Sequence, residues 1–520
     1  MKKKPSFRPY QQHQMSLLPM NLDELISPTH MVRVIDRVIE QMDMTSLMSR
    51  YEGGGAPANN PLMMLKVVVY AYADKIYSSR KIAKATRENI HFMWLTGNTP
   101  LDFMTINRFR SERLKGIIED IFTEVVHLLL KEGYIKFENY FLDGTKVEAN
   151  ANKYSWVWGK NTHRYMNNLR EKVVSHLKEI DIIEINENAE YGDSDLPETG
   201  NGKEIDSEAI DEYVKIIDER LSQSPDNKPL KKAKKAIEDD YLPRMKKYEN
   251  QIEILEERRS YSKTDTDATF MRMKDDHMKN GQLKPGYNIQ IGTEEQFVIG
   301  YSIHQNPGDT TTLPEHIKKI KRQNGRLPNN IIADAGYGSE ENYELLESEN
   351  VTGYVKYNTF HKEASRKWKE DPTKVQNFNY DEHTDTYYCP LKRPFVFIAG
   401  QKRKSDNGYI STIRIYECLN CNSCVHREDC VKTEDPFANR RLYINRRLNE
   451  LKSKAKELLI SDIGKEMRSK RPVEVESVFG NIKENFGVRR FLLRGLEKVN
   501  IEWGLYSIAH NMRKITAIIT

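Results

Sequence analysis

The stretch Tyr140-Phe-Leu-Asp-Gly-Thr-Lys-Val-Glu-Ala149 limits what this chain can fold into. It alternates as a β-strand does, with Phe141, Asp143, Thr145 and Val147 on one face. An acid on the inward row of a strand is costly to bury without a partner. Two later stretches offer partners. Ile331-Ile-Ala-Asp-Ala-Gly-Tyr-Gly338 is an apolar run ending in Asp334, and Arg471-Pro-Val-Glu-Val-Glu-Ser-Val-Phe-Gly-Asn-Ile-Lys483 reads as a helix carrying Glu476. Two aspartates on strands and one glutamate on a late helix point to a site for a hard cation.

A chain of 520 residues exceeds what one core supports, so several domains are expected. No run of about 18 apolar residues occurs, and the basic start Met1-Lys-Lys-Lys-Pro5 leads into no apolar signal region. A cytoplasmic, nucleoid-associated protein without a membrane partner is expected. Charge is uneven. Residues 441–520 carry 17 Lys+Arg against 9 Asp+Glu, whereas residues 161–260 carry 17 against 24. A basic segment that holds a needed acid suits a phosphate-rich partner, although a solvated helical surface gives the same count.

Taken in order, residues 1–27 read as a basic arm. Residues 28–130 read as a helical domain, with apolar residues at helical spacing and a break at Gly53-Gly54-Gly55. Its short helices around Ser79-Arg80-Lys81 and Thr105-Ile-Asn-Arg108-Phe-Arg110 have the pattern of a helix-turn-helix. A helical bundle with basic solvent faces fits that pattern as well. Residues 161–261 form a charged helical insertion with an acidic, low-order tip from Glu184 to Asp211. Residues 286–292 and 297–303 read as a hairpin around Thr293-Glu-Glu-Gln296, followed by a helix at 309–320, the strand to Asp334, a helix at 341–349 and a strand at 351–356. Residues 359–440 read as an irregular Cys-rich insertion and 441–520 as C-terminal helices. The fold class expected is mixed α/β, with a core split between 135–160 and 262–358 and completed by the C-terminal helices.

Asp334 stands at the carboxyl end of its strand, where open α/β sheets bind ligands. An aspartate capping a helix near Glu340 is the plainer reading. The third acid is chosen among Glu474, Glu476 and Glu484. Val475, Val478, Phe479, Ile482 and Phe486 form an apolar stripe. At about 100° per residue, Glu484 falls on the solvent side. Glu476 falls on a margin of the stripe with Lys483 above it and Gly480 and Gly487 nearby, whereas Glu474 falls on the other margin. A surface Glu–Lys pair is the plainer reading of Glu476.

These stretches resemble bacterial insertion-sequence transposases of the DDE class, most of all the insertion-sequence eleven-eighty-two family. The resemblance rests on Ser79-Arg-Lys-Ile-Ala83, Thr105-Ile-Asn-Arg-Phe-Arg110, Phe141-Leu-Asp-Gly-Thr-Lys-Val-Glu-Ala-Asn150, Ala333-Asp-Ala-Gly-Tyr337, Val475-Glu-Ser-Val-Phe-Gly480 and Arg494-Gly495 in this order, and it covers nearly the whole chain. It implies a ribonuclease-H-like core with Asp143, Asp334 and Glu476 as catalytic acids holding Mg²⁺ or Mn²⁺, two ions in all. It implies hydrolysis at transposon ends, then attack of the freed 3′-hydroxyl on target DNA. The segment 28–130 would bind end DNA, with a homodimer on paired ends. The residues expected at DNA are Lys483, Arg471, Arg80, Arg108, Arg110, Trp156 and Trp158, the tryptophans by stacking on bases. A related signature places an Arg four residues before the Glu; here that position is Pro472, with Arg471 next to it. Two other readings share the acids: a DNA-binding relative without activity, and a nuclease without strand transfer.

Cys418, Cys421, Cys424 and Cys430 follow one another at two-, two- and five-residue gaps, with Cys389 upstream and His426 among them. Thiolates at turn spacing suit structural Zn²⁺; reduced thiols in a compact knuckle are the alternative.

Overall fold

The strand expected at 140–149 forms β1 (Asn139–Glu148), and four consecutive buried residues, Tyr140, Phe141, Leu142 and Asp143, place cover on both its faces. The computed structural model describes residues 21–51, 57–191, 205–273, 282–421, 424–433, 435 and 437–520, without the side chains of 179–191. Most of the basic arm, the triple glycine and the glycine-bearing acidic tip lie outside the described residues.

In chain order the next strands are β2 (Trp156–Trp158), β3 (Ser260–Ser262), β4 (Thr269–Arg272), β5 (Leu283–Glu294), β6 (Phe297–His304), β7 (Asn330–Ala333) and β8 (Thr352–Val355). The main sheet runs β4-β5-β1-β7-β8, with β6 also on β5. β1 is antiparallel to β5 and parallel to β7, and β7 is parallel to β8, so the sheet is mixed as expected. The hairpin turn is tighter than the sequence suggested. Only Glu295 and Gln296 lie between β5 and β6, both with positive φ, as a two-residue hairpin with right-handed twist requires.

Two contacts fix β1. The Tyr140 ring crosses the β5–β6 hairpin where Gly292 faces Gly300, and a Cβ at either glycine would fall against that ring or its hydroxyl. At the strand's start, the buried Glu294 carboxylate accepts four backbone N–H groups, from Lys136 (3.0 Å), Phe137 (2.5 Å), Glu138 (2.8 Å) and Asn139 (2.8 Å).

Helices fill residues 31–131. Asn60 caps the Pro61–Ala73 helix through two backbone N–H groups, with Pro at its first position. This helix is buried on every side from Met64 to Ala73. It packs on Met31–Glu40 and on the C-terminal helix Leu496–Ile519, which also lies against β6. One continuous core therefore runs from the N-terminal helices through the sheet.

The insertion after β2 is helical, and β2 pairs with β3 at its neck. Its helices Gly159–Tyr191, Ser207–Gln223, Lys228–Ala236 and Leu242–Leu255 bury a core of their own. Glu184–Tyr191 and Ser207–Asp211 are helical, which corrects the low-order reading at those residues. A larger correction concerns 359–440. Instead of an irregular segment, a five-stranded antiparallel sheet forms from β9 (Asn379–Asp381), β10 (Thr386–Tyr388), β11 (Pro394–Lys404), β12 (Ile410–Cys418) and β13 (Arg441–Ile444). The C-terminal helices begin only after β13, with Arg446–Ile460.

Glu294→Gln is expected to lower stability by about 2–3 kcal/mol, because an amide cannot accept from all four N–H groups that the carboxylate satisfies. Urea unfolding followed by circular dichroism measures this, and an unchanged midpoint contradicts the role given to Glu294.

Candidate active site

Asp143 lies in the middle of β1, is 7% exposed, and accepts the N–H of Gly144 at 2.9 Å. The residue after it has to be small. A Cβ on Gly144 would meet the Gln290 amide and an Asp309 carboxylate oxygen. Asp334 follows β7 directly and caps the short turn Ala335–Tyr337 by accepting the Gly336 N–H at 2.8 Å. The longer helix Glu340–Ser348 is capped by Ser339, so Asp334 is not its cap.

The two aspartates meet at Arg471. Its Nη2 lies 3.0 Å from Asp143 Oδ1 and 3.8 Å from Asp334 Oδ2. Arg471 is 7% exposed, and its Nε is buried without a hydrogen-bond partner. A guanidinium desolvated to this degree persists because two carboxylates face it. Arg471 was expected at DNA; the structure places it inside the acidic site.

Glu476 is exposed. The helix expected through 471–483 forms with an irregularity that matters. Pro472–Glu476 is a π-turn, Ser477–Gly480 is α-helical, and Asn481–Asn485 is a second π-turn. A π-turn brings residues five apart onto one side of the helix axis, as an α-turn does for residues four apart. Arg471 and Glu476 are five apart. The extra residue that displaced the arginine from its expected spacing is thus absorbed by the π-turn. Lys356 feels the charges of both Asp334 and Glu476. Burial depresses its pKa, Arg471 and Arg468 push it further down, and the charges of Asp334 and Glu476 pull it back up.

Glu474 does other work. It is buried, its carboxyl is pushed up by that burial, and it accepts the Gln296 N–H at 2.7 Å. His510 takes the other side of the same turn, donating from Nε2 to the Gln296 carbonyl (2.9 Å) while its Nδ1 accepts from the Asn481 amide (2.8 Å). The hairpin turn is thereby the dock for the helix that carries Glu476.

One acid went unread in the sequence. Asp309 accepts from the side chains of Asn288 (2.8 Å) and Gln290 (3.0 Å), and Gln290 in turn accepts from the Tyr337 hydroxyl. Burial holds the Tyr337 hydroxyl protonated, reinforced by the nearby charges of Asp309, Asp143 and Asp334. Asp309 therefore belongs to the same acidic neighbourhood. Its only local signal is the Asn306-Pro-Gly-Asp309 loop after β6, which reads as a helix start.

The other expected residues separate. Arg80 and Arg108 are exposed, with Arg80 stacked 5.2 Å over Phe103. Arg110 is 5% exposed and donates to the Tyr77 carbonyl (2.7 Å) and the Ser79 hydroxyl (3.3 Å), which removes it from a DNA-facing set. Trp156 is 42% exposed and meets Phe270 edge-on, while Trp158 is half-buried against the same ring. Lys483 is half-buried.

The donor chemistry fits a hard divalent cation: carboxylate oxygens converge, two of them on one cationic nitrogen. Among the described residues no three His, Cys, Asp or Glu side chains are already closed on one point, and Arg471 supplies the positive charge between the aspartates.

Residues 388–516 match the family model described as a transposase DDE domain, and residues 20–112 match the one described as a transposase domain (DUF772). Over these two segments the chain is similar to transposases, and a DDE domain implies a ribonuclease-H-like core and a nuclease or transposase enzyme. Glu476 and Arg471 lie within the matched DDE segment, and Asp143 and Asp334 precede it. The DDE family generally uses divalent metals. No curated protein matches the chain. No helix among the described residues is long and apolar enough to cross a membrane.

Burial depresses the His510 pKa from 6.5 to about 4, so the folded chain refuses a proton that the unfolded chain accepts. Stability is expected to fall as pH drops from about 6.5 to about 4, by about 3 kcal/mol from this group. The difference between the parent and His510→Gln in urea unfolding across that range isolates it. Parallel pH profiles contradict it.

Proposed function

We propose that this chain, with its two transposase domains, is an active transposase that cuts the ends of a mobile DNA element and joins the freed 3′-hydroxyl to target DNA. The observation that carries the reading is the single Arg471 nitrogen held between Asp143 and Asp334, on a helix that presents Glu476 one π-turn later.

Asp143, Asp334 and Glu476 would hold Mg²⁺ or Mn²⁺, two ions for this chemistry. When bound, these ions would activate the attacking oxygen and stabilise the leaving one in in-line phosphoryl transfer. The chain's own residues set the geometry. Asp143 is fixed on a fully buried strand and cannot drift. Asp334 sits at a strand end beside Gly336, whose N–H it accepts, while Gly338 leaves room for the Lys356 carbonyl to pack against it. Glu476 is exposed on a helix interrupted by π-turns, so it can move toward the aspartates as DNA arrives. Arg471 and Lys356 offset the acids' mutual repulsion until then, and Arg471 afterwards faces phosphate, for which a guanidinium is suited.

DNA is the partner. The N-terminal helices from 28 to 130 grip the element's ends through Arg80 and Arg108, Lys483 contacts backbone near the scissile phosphate, and Trp156 is the aromatic best exposed to stack on a base. Two copies on paired ends complete the assembly.

Asp143→Asn, Asp334→Asn and Glu476→Gln are each expected to lower cleavage on the order of a thousandfold while end binding persists, and the exposed Glu484→Gln stays near the parent rate. The assay uses a plasmid carrying the DNA that flanks the coding region, with cut and joined products resolved on a gel. Parent-level cleavage by Glu476→Gln rejects the assignment of the third acid. Cutting without joined product assigns a nuclease instead.

A further inference from the structure

All five cysteines of the chain, together with His426, line one cavity of about 20 Å³ in the Cys-bearing sheet. They arrive from three separate places. Cys389 follows β10, Cys418 ends β12 with Cys421 and Cys424 in the loop beyond, and Cys430 ends the short helix Arg427–Cys430. All five are unoxidised.

The five are not equivalent. Cys418 lies within a strand, opposite Phe395, and is 1% exposed in a core with Phe378 and Tyr416. The others sit on turns with donors aimed at sulfur or at the turn. Cys389 Sγ accepts the Arg393 N–H at 3.4 Å, in a tight reversal where Lys392 N–H also donates to the Cys389 carbonyl (2.7 Å). Cys424 N–H donates to the Cys421 carbonyl (3.2 Å), which places these two one turn apart. Cys430 Sγ accepts from Arg440 Nη1 at 3.0 Å.

We propose that the chain binds one zinc ion in this cavity through Cys389, Cys421, Cys424 and Cys430, with Cys418 in the core beside it and not on the metal. Four thiolates are a ligand set that zinc takes in structural sites. Clustered Cys-x2-Cys steps also serve iron–sulfur clusters, so the metal analysis below has to separate the two.

The fold supplies a reason for a metal. This sheet buries a small core of its own, chiefly Phe378, Phe395, Tyr416, Leu442 and Ile444, and small cores commonly need a staple. The staple stands at the base of the β11–β12 arm. The arm's tip reaches back to the main domain, where the Asn407 amide donates to the Thr311 carbonyl (3.2 Å) and the Tyr409 hydroxyl donates to Glu344 (2.7 Å). Thr311 is two residues from Asp309, so the metal would hold an arm fixed beside the acids.

Elemental analysis of the purified full-length chain tests this without any activity assay. One zinc per chain and no iron is expected, and Co²⁺ in its place should show thiolate-to-cobalt charge-transfer absorption. Cys389→Ser and Cys430→Ser should lower zinc occupancy at least about tenfold, and Cys418→Ala should retain it. A parent chain without zinc, or one carrying iron and sulfide, overturns the proposal whatever the variants do. So does zinc lost in Cys418→Ala and kept in Cys389→Ser.

Discussion

A carboxylate buried in the middle of a sheet has to meet a cation, and much of this fold is the means by which Asp143 meets one. Its strand is covered on both faces, so water cannot serve. The partner is Arg471, far along the chain, and bringing it there requires the helix Asp462–Arg471 to cross the carboxyl ends of β7 and β8. Once Arg471 is placed, Asp334 falls within 3.8 Å of the same nitrogen, and the next turn presents Glu476. The charge balance that makes the fold tolerable therefore also brings the two aspartates to one cation. A buried ion pair is weak evidence for stability, because desolvation consumes much of its gain. Here its significance is positional.

The late helices stay in register through polar contacts to one hairpin. Glu474 and His510 take the N–H and the carbonyl of Gln296. Asn511 pairs with both backbone groups of Val298, at 2.9 and 2.8 Å, as a further strand would. β6 is an edge strand, and an unpaired edge is a liability; the helix Leu496–Ile519 covers it and satisfies part of it. The same helix packs on Pro61–Ala73, so the N-terminal helices and the sheet share a core.

Much of the site was legible because its carriers sit in regular elements. Alternation marked β1, and an apolar run marked the strand before Asp334. The stripe on the Glu476 helix is buried as its spacing required, at Val475, Val478, Phe479, Ile482 and Phe486. What escaped reading has local causes. Glu474 looked like a marginal surface acid because its partner is a turn in a distant hairpin. Arg110 looked solvent-facing because only folding brings the Tyr77 carbonyl to it. Asp309 sits in a loop whose Pro-Gly-Asp sequence resembles many helix starts. The sheet at 379–444 was missed because its strands are short or, in β11, run from Pro394 into a basic end without alternation.

The sequence by itself singled out the candidates for chemistry: an aspartate on a strand, another at a strand's end, a late glutamate beside an apolar stripe, and five thiols within 42 residues. Periodicity and residue type are local properties, so they survive in one dimension. The tertiary structure decided which of those residues meet. It put Arg471 between the aspartates, set a π-turn between Arg471 and Glu476, added Asp309, and gathered the five thiols at one cavity. Those outcomes depend on distance and burial between segments hundreds of residues apart, and no local pattern encodes them.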